Sequence, residues 1–196
     1  DCLWGLLDGL NDAGLAVSLT FGGRRVVGAG FGIPLVVRYV LETCAEVNEA
    51  VWALRHVPVN LAHNLTLVDR SGTYVTAHLA PDREPVFRET PVATNHQELV
   101  EWPEHANATR TVEREQQVLS LLEAGVSTEE FVAAFLGPAL YSASYSRGFG
   151  TLYTAAYQPV EGRVDFLWPG EPPWTQSFHA FTEDARTQLL ADAAVA

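Results

Sequence analysis

At 196 residues, 47% of them apolar and 18% charged, the chain is long enough to bury one sizeable core and too poor in Gly and Pro to be a disordered segment. Twelve Lys and Arg stand against twenty-four Asp and Glu, a net charge of −12 spread along the sequence, which argues against nucleic acid or an anionic membrane as partner. No apolar run approaches the roughly 20 residues that span a bilayer, and two cysteines, Cys2 and Cys44, are too few for a disulfide framework and read as reduced thiols.

The chain opens inside a strand-like run and contains no Met. It reads as a piece of a longer chain cut at its N-terminal side, so the lack of a signal peptide carries no weight about secretion. A cytoplasmic location is the default expectation. "LWGLLDGL", "NDAG" and "LAVSLTF" spell strand, Asx-Gly turn and strand. From Ile33 the period becomes helical, with Pro34 in the first turn and Val36, Val37, Val40, Leu41 and Cys44 on one face. "EVNEAVWALRHV" is a second short helix. "VNLAHNLTLVD", the turn "DRSG" and "TYVTAHLAP" predict a second hairpin, followed by "PVFRE" and "PVATNH" as two more strands.

"TRTVEREQQVLSLLEAG" predicts an amphipathic helix ending at Gly125, and Ser127 with Glu130 forms a capping box for "STEEFVAAFLG". "GTLYTAAYQPVEGRVDFLWPG" is a third hairpin turned at Glu161-Gly162. No repeat or linker interrupts residues 1–196, so a single domain is expected. The order ββ, αα, ββββ, αα, ββ segregates hairpins from helix pairs and points to an α+β fold with antiparallel sheets.

Phosphate loops, H-E-x-x-H, C-x-x-C and G-x-S-x-G are all missing from the sequence, and six scattered His lack metal-ligand spacing. His63 and His78 fall in strands that pair, where satisfied sheet-face histidines are the commoner outcome. Asn64-Leu65-Thr66 and Asn107-Ala108-Thr109 match the glycosylation pattern and are discounted. Asn95 and His96 end a strand and precede a polar loop. They fit a turn former and a surface His; alternatively, the Asn95 amide is a neutral donor suited to an oxyanion. Arg147, ahead of an apolar strand, needs a carboxylate or carbonyl if buried, either in a structural ion pair or in a site. Trp4, Phe21, Phe31, Tyr145 and Phe149 are expected in the core.

In order, "GLNDAGLAVSLTF", "RYVLETCAEVNEAV", "VATNHQ" and "SRGFGTLY" resemble the acyl-coenzyme A:6-aminopenicillanic acid acyltransferase family, the isopenicillin N acyltransferase relatives among the N-terminal-nucleophile (Ntn) hydrolases. More distantly they resemble the choloylglycine hydrolases, and "DCLWGLLDG" is similar to a mid-chain segment of a bacterial subgroup. The resemblance implies an αββα sandwich, two antiparallel sheets between helix layers, with the strands that carry the nucleophile upstream of Asp1. It implies a Cys nucleophile freed by autoproteolysis whose own amino group is the base, acting on a small amide or thioester. Acyl-coenzyme A is a substrate if the acyltransferase branch applies; the chemistry needs no cofactor or metal.

Carried over, Asn95 is implied as an oxyanion donor and Arg147 as the holder of an active-site carboxylate network. Thr20, where several choloylglycine relatives carry Asn, is implied as a second oxyanion contact. The family expects a small polar run after its Cys, and here Leu3-Trp4-Gly5 follow Cys2, so Cys2 reads as a core thiol. Two other readings stay open: an inert fragment or small-ligand binder on the same scaffold, and a hydrolase that uses Ser146 or Cys2 with His96. A homo-oligomer is compatible with all of them.

Overall fold

The structure, a computed structural model, describes residues 4–192; Cys2 lies outside that range. Five antiparallel strands form one sheet whose spatial order follows the chain: β1 (Asp8–Leu10), β2 (Ala16–Phe21), β3 (His63–Val68), β4 (Tyr74–Ala80) and β5 (Arg83–Arg88). Alternation along the strands separates two faces. Val17, Leu19, Leu65, Leu67, Val75, Ala77 and Leu79 point one way; Ser18, Thr20, Asn64, Thr66, Thr76 and His78 point the other.

The apolar face is covered by α1 (Ile33–Thr43) and α2 (Val47–Leu54), inserted between β2 and β3. Val36, Val37, Val40, Leu41, Val47, Ala50, Ala53 and Leu54 meet the sheet in one core cluster. At about 1.5–3 kcal/mol for each fully buried Val or Leu, this layer is the main source of stability. Both helices are anchored by side chains from distant turns. Asn11 Nδ2 donates to the Leu41 and Cys44 carbonyls at 3.0 and 2.7 Å, while its Oδ1 accepts from Leu15 N at 2.8 Å, which fastens the β1–β2 turn to the end of α1. Asp69 accepts from Val47 N at 3.1 Å, at the start of α2, and from Ser71 N at 2.9 Å in its own turn. Burial would raise the Asp69 pKa, but the hydrogen bonds from Ser71, Val47 and Thr73 outweigh it and hold the carboxyl below its ordinary range.

Beyond β5 come α3 (Pro103–Thr109), α4 (Thr111–Glu123) and α5 (Thr128–Ala134), then two short strands, β6 (Ala143–Ser144) and β7 (Phe149–Gly150), on either side of a 3₁₀ turn at Tyr145–Arg147. A second antiparallel sheet closes the chain: β8 (Thr154–Gln158), β9 (Arg163–Leu167) and β10 (Trp174–Ser177), with β9 central. It meets the first sheet through Asp8, which accepts from Tyr157 Oη at 2.8 Å and Tyr153 Oη at 3.2 Å. Burial and the Asp8 charge push the Tyr153 phenol up to about 12 and Tyr157 higher.

Antiparallel sheets and five helices among the described residues make the fold α+β, as expected. Several details differ. "PVATNH" is not a strand, because its carbonyls bond to side chains of the polar sheet face instead of a ladder: Thr94 O accepts from Thr20 Oγ1 at 2.9 Å and His96 O from Asn64 Nδ2 at 2.8 Å. Helix α3, opened by Pro103, was not expected from the pattern. Trp4, Phe31 and Phe149 are 72%, 55% and 54% exposed, so they are surface residues and not core. Among the described residues no helix is long and apolar enough to cross a membrane.

Candidate active site

Two of the three residues singled out in the sequence come together on the polar face of the sheet. Thr20 and Asn64 are cross-strand partners on β2 and β3, and the loop Thr94–His96 lies against them. Asn64 is fully buried, and its Nδ2 reaches Thr20 Oγ1, Thr94 O and His96 O at 3.1, 2.9 and 2.8 Å. Three acceptors around one NH₂ fix the orientation of that amide, and they leave Asn64 Oδ1 buried without a partner, at a cost of about 1–3 kcal/mol. The Thr20 hydroxyl spends its hydrogen on Thr94 O, so Thr20 holds the loop and offers no free donor.

A second set of contacts grips the loop from α4. Thr111 Oγ1, fully buried, donates to Thr94 Oγ1 at 2.8 Å. His96 Nδ1 lies 3.0 Å from Thr111 Oγ1 and 3.2 Å from Thr94 Oγ1, and its Nε2 lies 3.4 Å from Glu115. The hydroxyl, imidazole and carboxylate in line resemble a nucleophile with its base, yet Thr94 is only 5% exposed. A buried hydroxyl cannot meet a carbonyl carbon, so this is a clamp on the loop.

Asn95 sits between the clamped residues. Its Oδ1 accepts a hydrogen bond from Arg114 Nη2, and its Nδ2 makes no hydrogen bond among the described residues. On the opposite side Gly23, at φ 67°, approaches so closely that an added Cβ would stand 2.3 Å from the Asn95 carbonyl oxygen. The strand end beyond Thr20 carries an aromatic group: Phe21 lies edge-on to His63, Trp102 and His105, and the Arg25 guanidinium stacks 4.2 Å over the Trp102 ring. Burial lowers the pKa of both His63 and His105, and so favours neutral imidazoles there.

The flank of the site is tied by ions. Arg24 pairs with both oxygens of Asp82 at 2.8 Å and with Glu101 at 2.8 Å, and Arg83 reaches Glu101 at 2.6 Å. The Arg24 partnership depresses Asp82 to about 2 and lowers Glu101 as well.

Arg147 stands apart. It is exposed on the turn between β6 and β7, and its side chain makes no hydrogen bond, ion pair or ring contact to another described residue, so it is not a buried guanidinium in need of a partner. Ser146 donates its backbone N–H to Asp192 and makes no hydrogen bond with His96, whose ring meets Thr94, Thr111 and Glu115. His63 and His78 do not meet, because the register pairs His63 with Leu79 and Asn64 with His78, which puts them on opposite faces. Among the described residues no group of three or more His, Cys, Asp or Glu is arranged to hold a metal. A surface cleft of about 190 Å³ lined by Arg55, Pro58, Pro81 and Arg83 lies elsewhere and excludes Thr94–His96.

Sequence reasoning passed over Asn64 and Arg114. Asn64 was visible as an amide in the polar phase of an alternating strand, where an Asn with no turn to make needs buried partners. Arg114 carried no such signal, since a cation on an amphipathic helix ordinarily faces water.

A search of curated proteins finds no match to the chain. The model of the acyl-coenzyme A:6-aminopenicillanic acid acyl-transferase family matches residues 1–172, and the chain belongs to that family, with its acyl-transfer and hydrolytic chemistry.

Proposed function

We propose that the protein is an Ntn-type cysteine amidohydrolase or acyltransferase, built on the αββα sandwich, that moves an acyl group of a small amide or thioester through an acyl-enzyme. On this reading the nucleophile is a cysteine upstream of Asp1 freed by autoproteolysis. An α-amino group with a pKa of roughly 7.7–8.0 is partly neutral near pH 7 and serves as its base. Thiolate attack on the carbonyl breaks the bond to the amine or thiol, and water or an amine then takes the acyl group.

The observation that carries the reading is Asn95. Its oxygen is held, its NH₂ is unpaired among the described residues, and the backbone on both sides is pinned by Asn64, so a neutral donor stands fixed over the polar face of the sheet. A preorganised neutral donor stabilises the charge that develops on the carbonyl oxygen without binding an anionic ground state. Thr20 serves by holding Thr94 in place. Arg147, exposed and unpaired among the described residues, is free to receive a carboxylate of the substrate or of the upstream segment.

The test uses the chain together with the sequence that precedes Asp1, with hexanoyl-coenzyme A as thioester probe. Asn95→Ala is expected to slow acyl-enzyme formation, followed by intact mass, about 10²–10³-fold. An unchanged rate would remove Asn95 from the chemistry. A chain that binds the probe and never forms an adduct would point to a binding domain instead.

A further inference from the structure

Arg114, half-buried in the first turn of α4, has an unusual set of partners. A guanidinium withdrawn from water ordinarily pairs with a carboxylate. Here Nη2 goes to Asn95 Oδ1 and Nε goes to Thr109 O at 2.9 Å, both neutral oxygens. Among the described residues no carboxylate pairs with it, and the neighbouring Glu115 faces His96 instead. Burial, with Arg110 nearby, lowers the Arg114 pKa, in keeping with neutral partners around the charge.

The chemistry of the two groups makes this contact directional. A guanidinium has donors and no acceptor, so it can meet only the oxygen end of an amide; turning Asn95 over would set N–H against N–H. The orientation of Asn95 is therefore decided by Arg114, and with it the direction of the free NH₂. Drawing density toward Oδ1 also makes the Nδ2 hydrogens better donors, as in any hydrogen-bonded chain.

We propose that Arg114 is a positioning residue that locks the Asn95 amide with its NH₂ outward and strengthens it as a donor, a role that rests on the reading of Asn95 as the oxyanion donor. The alternative is that Arg114 serves only to join α3 to α4 through Thr109 O. The two differ in what happens to the Asn95 side chain.

The experiment has two arms. In the ¹⁵N-labelled 196-residue chain, the Asn95 NH₂ signals of wild type, Arg114→Lys and Arg114→Leu are compared by chemical shift and order parameter. In the chain with its upstream sequence, kcat and KM for hexanoyl-coenzyme A are measured for the same variants and for Asn95→Ala. The expected result is a shifted, mobile Asn95 NH₂ in Arg114→Leu, partial recovery in Arg114→Lys, and a fall in kcat of about 10²-fold with KM nearly unchanged. Unmoved Asn95 signals in both variants overturn the proposal, whether or not thermal stability falls, and are read even where the probe is not turned over. If Asn95→Ala abolishes turnover while Arg114→Leu leaves kcat unchanged, the proposal fails and the reading of Asn95 stands. If Asn95→Ala has no effect, that reading fails and takes the catalytic part of the proposal with it.

Discussion

Asn95 owes its position partly to a residue that has no side chain. Gly23 combines a left-handed backbone, φ 67°, with a close approach to the Asn95 carbonyl, so an Ala there meets two separate obstacles. Gly72 separates them: its φ is 86°, yet nothing lies within 4 Å of where its Cβ would stand. Gly72→Ala should cost only the backbone term, about 1–2 kcal/mol. Gly23→Ala should cost that and a displacement of the loop, about 3 kcal/mol or more in all, with the Asn95 amide signals shifted. Equal losses in urea unfolding for the two variants would mean that the loop yields freely and is not held where Asn64 and Thr111 place it. The same loop shows why Asn64 is an amide and not a carboxylate: it faces two carbonyls, and only a donor can satisfy them.

Among the elements, α1 depends on Asn11 as much as on its apolar face. The Leu41 carbonyl in its last turn and the Cys44 carbonyl at its C-cap both accept from that one amide, whose oxygen also receives Leu15 N. Asn11→Asp keeps the shape and the acceptor but removes the donor and sets a charge against two carbonyl oxygens. The expected cost is about 2–4 kcal/mol in chemical denaturation, more than Asn11→Ala. A smaller loss for Asp than for Ala would show that the helix end is open to water. Helix α1 itself was legible, because its i, i+3, i+4 pattern coincides with the face it buries. The capping box at Ser127 and Glu130 was legible for the same reason, since both partners lie within one turn. "PVATNH" was misread because alternation reports only which residues are apolar. Its hydrogen bonds are made by Thr20, Asn64 and Thr111, outside the segment, and no local window contains them all. Of the candidate site, the motif residues pointed to the loop at Asn95 and to Thr20, which meet there in space, whereas Arg114 became visible only when α4 folded back over the loop.

At the scale of the whole molecule, the buried polar groups tie stability to pH. His63, His78 and His105 all have pKa values lowered from 6.5, burial being the largest cause in each. For His78 the Glu98 charge opposes the shift, while Arg88, Arg83 and His96 add to it. A histidine depressed in the folded state is neutral there and takes up its proton more readily when unfolded. Its contribution is therefore complete above the unfolded pKa of 6.5 and is lost as pH falls through the folded value. The net charge of −12 does not reverse the sign in this window, because ordinary carboxylates titrate near 4 and Arg24 lowers Asp82 further. The urea midpoint should therefore fall between about pH 7.5 and pH 5.5, before any carboxylate protonates. Replacing the three histidines by Gln should flatten that slope even if it lowers the midpoint overall. A midpoint that stays level in wild type across this interval would mean that the imidazoles charge in place, and that the sheet end around Phe21 and Trp102 admits water freely.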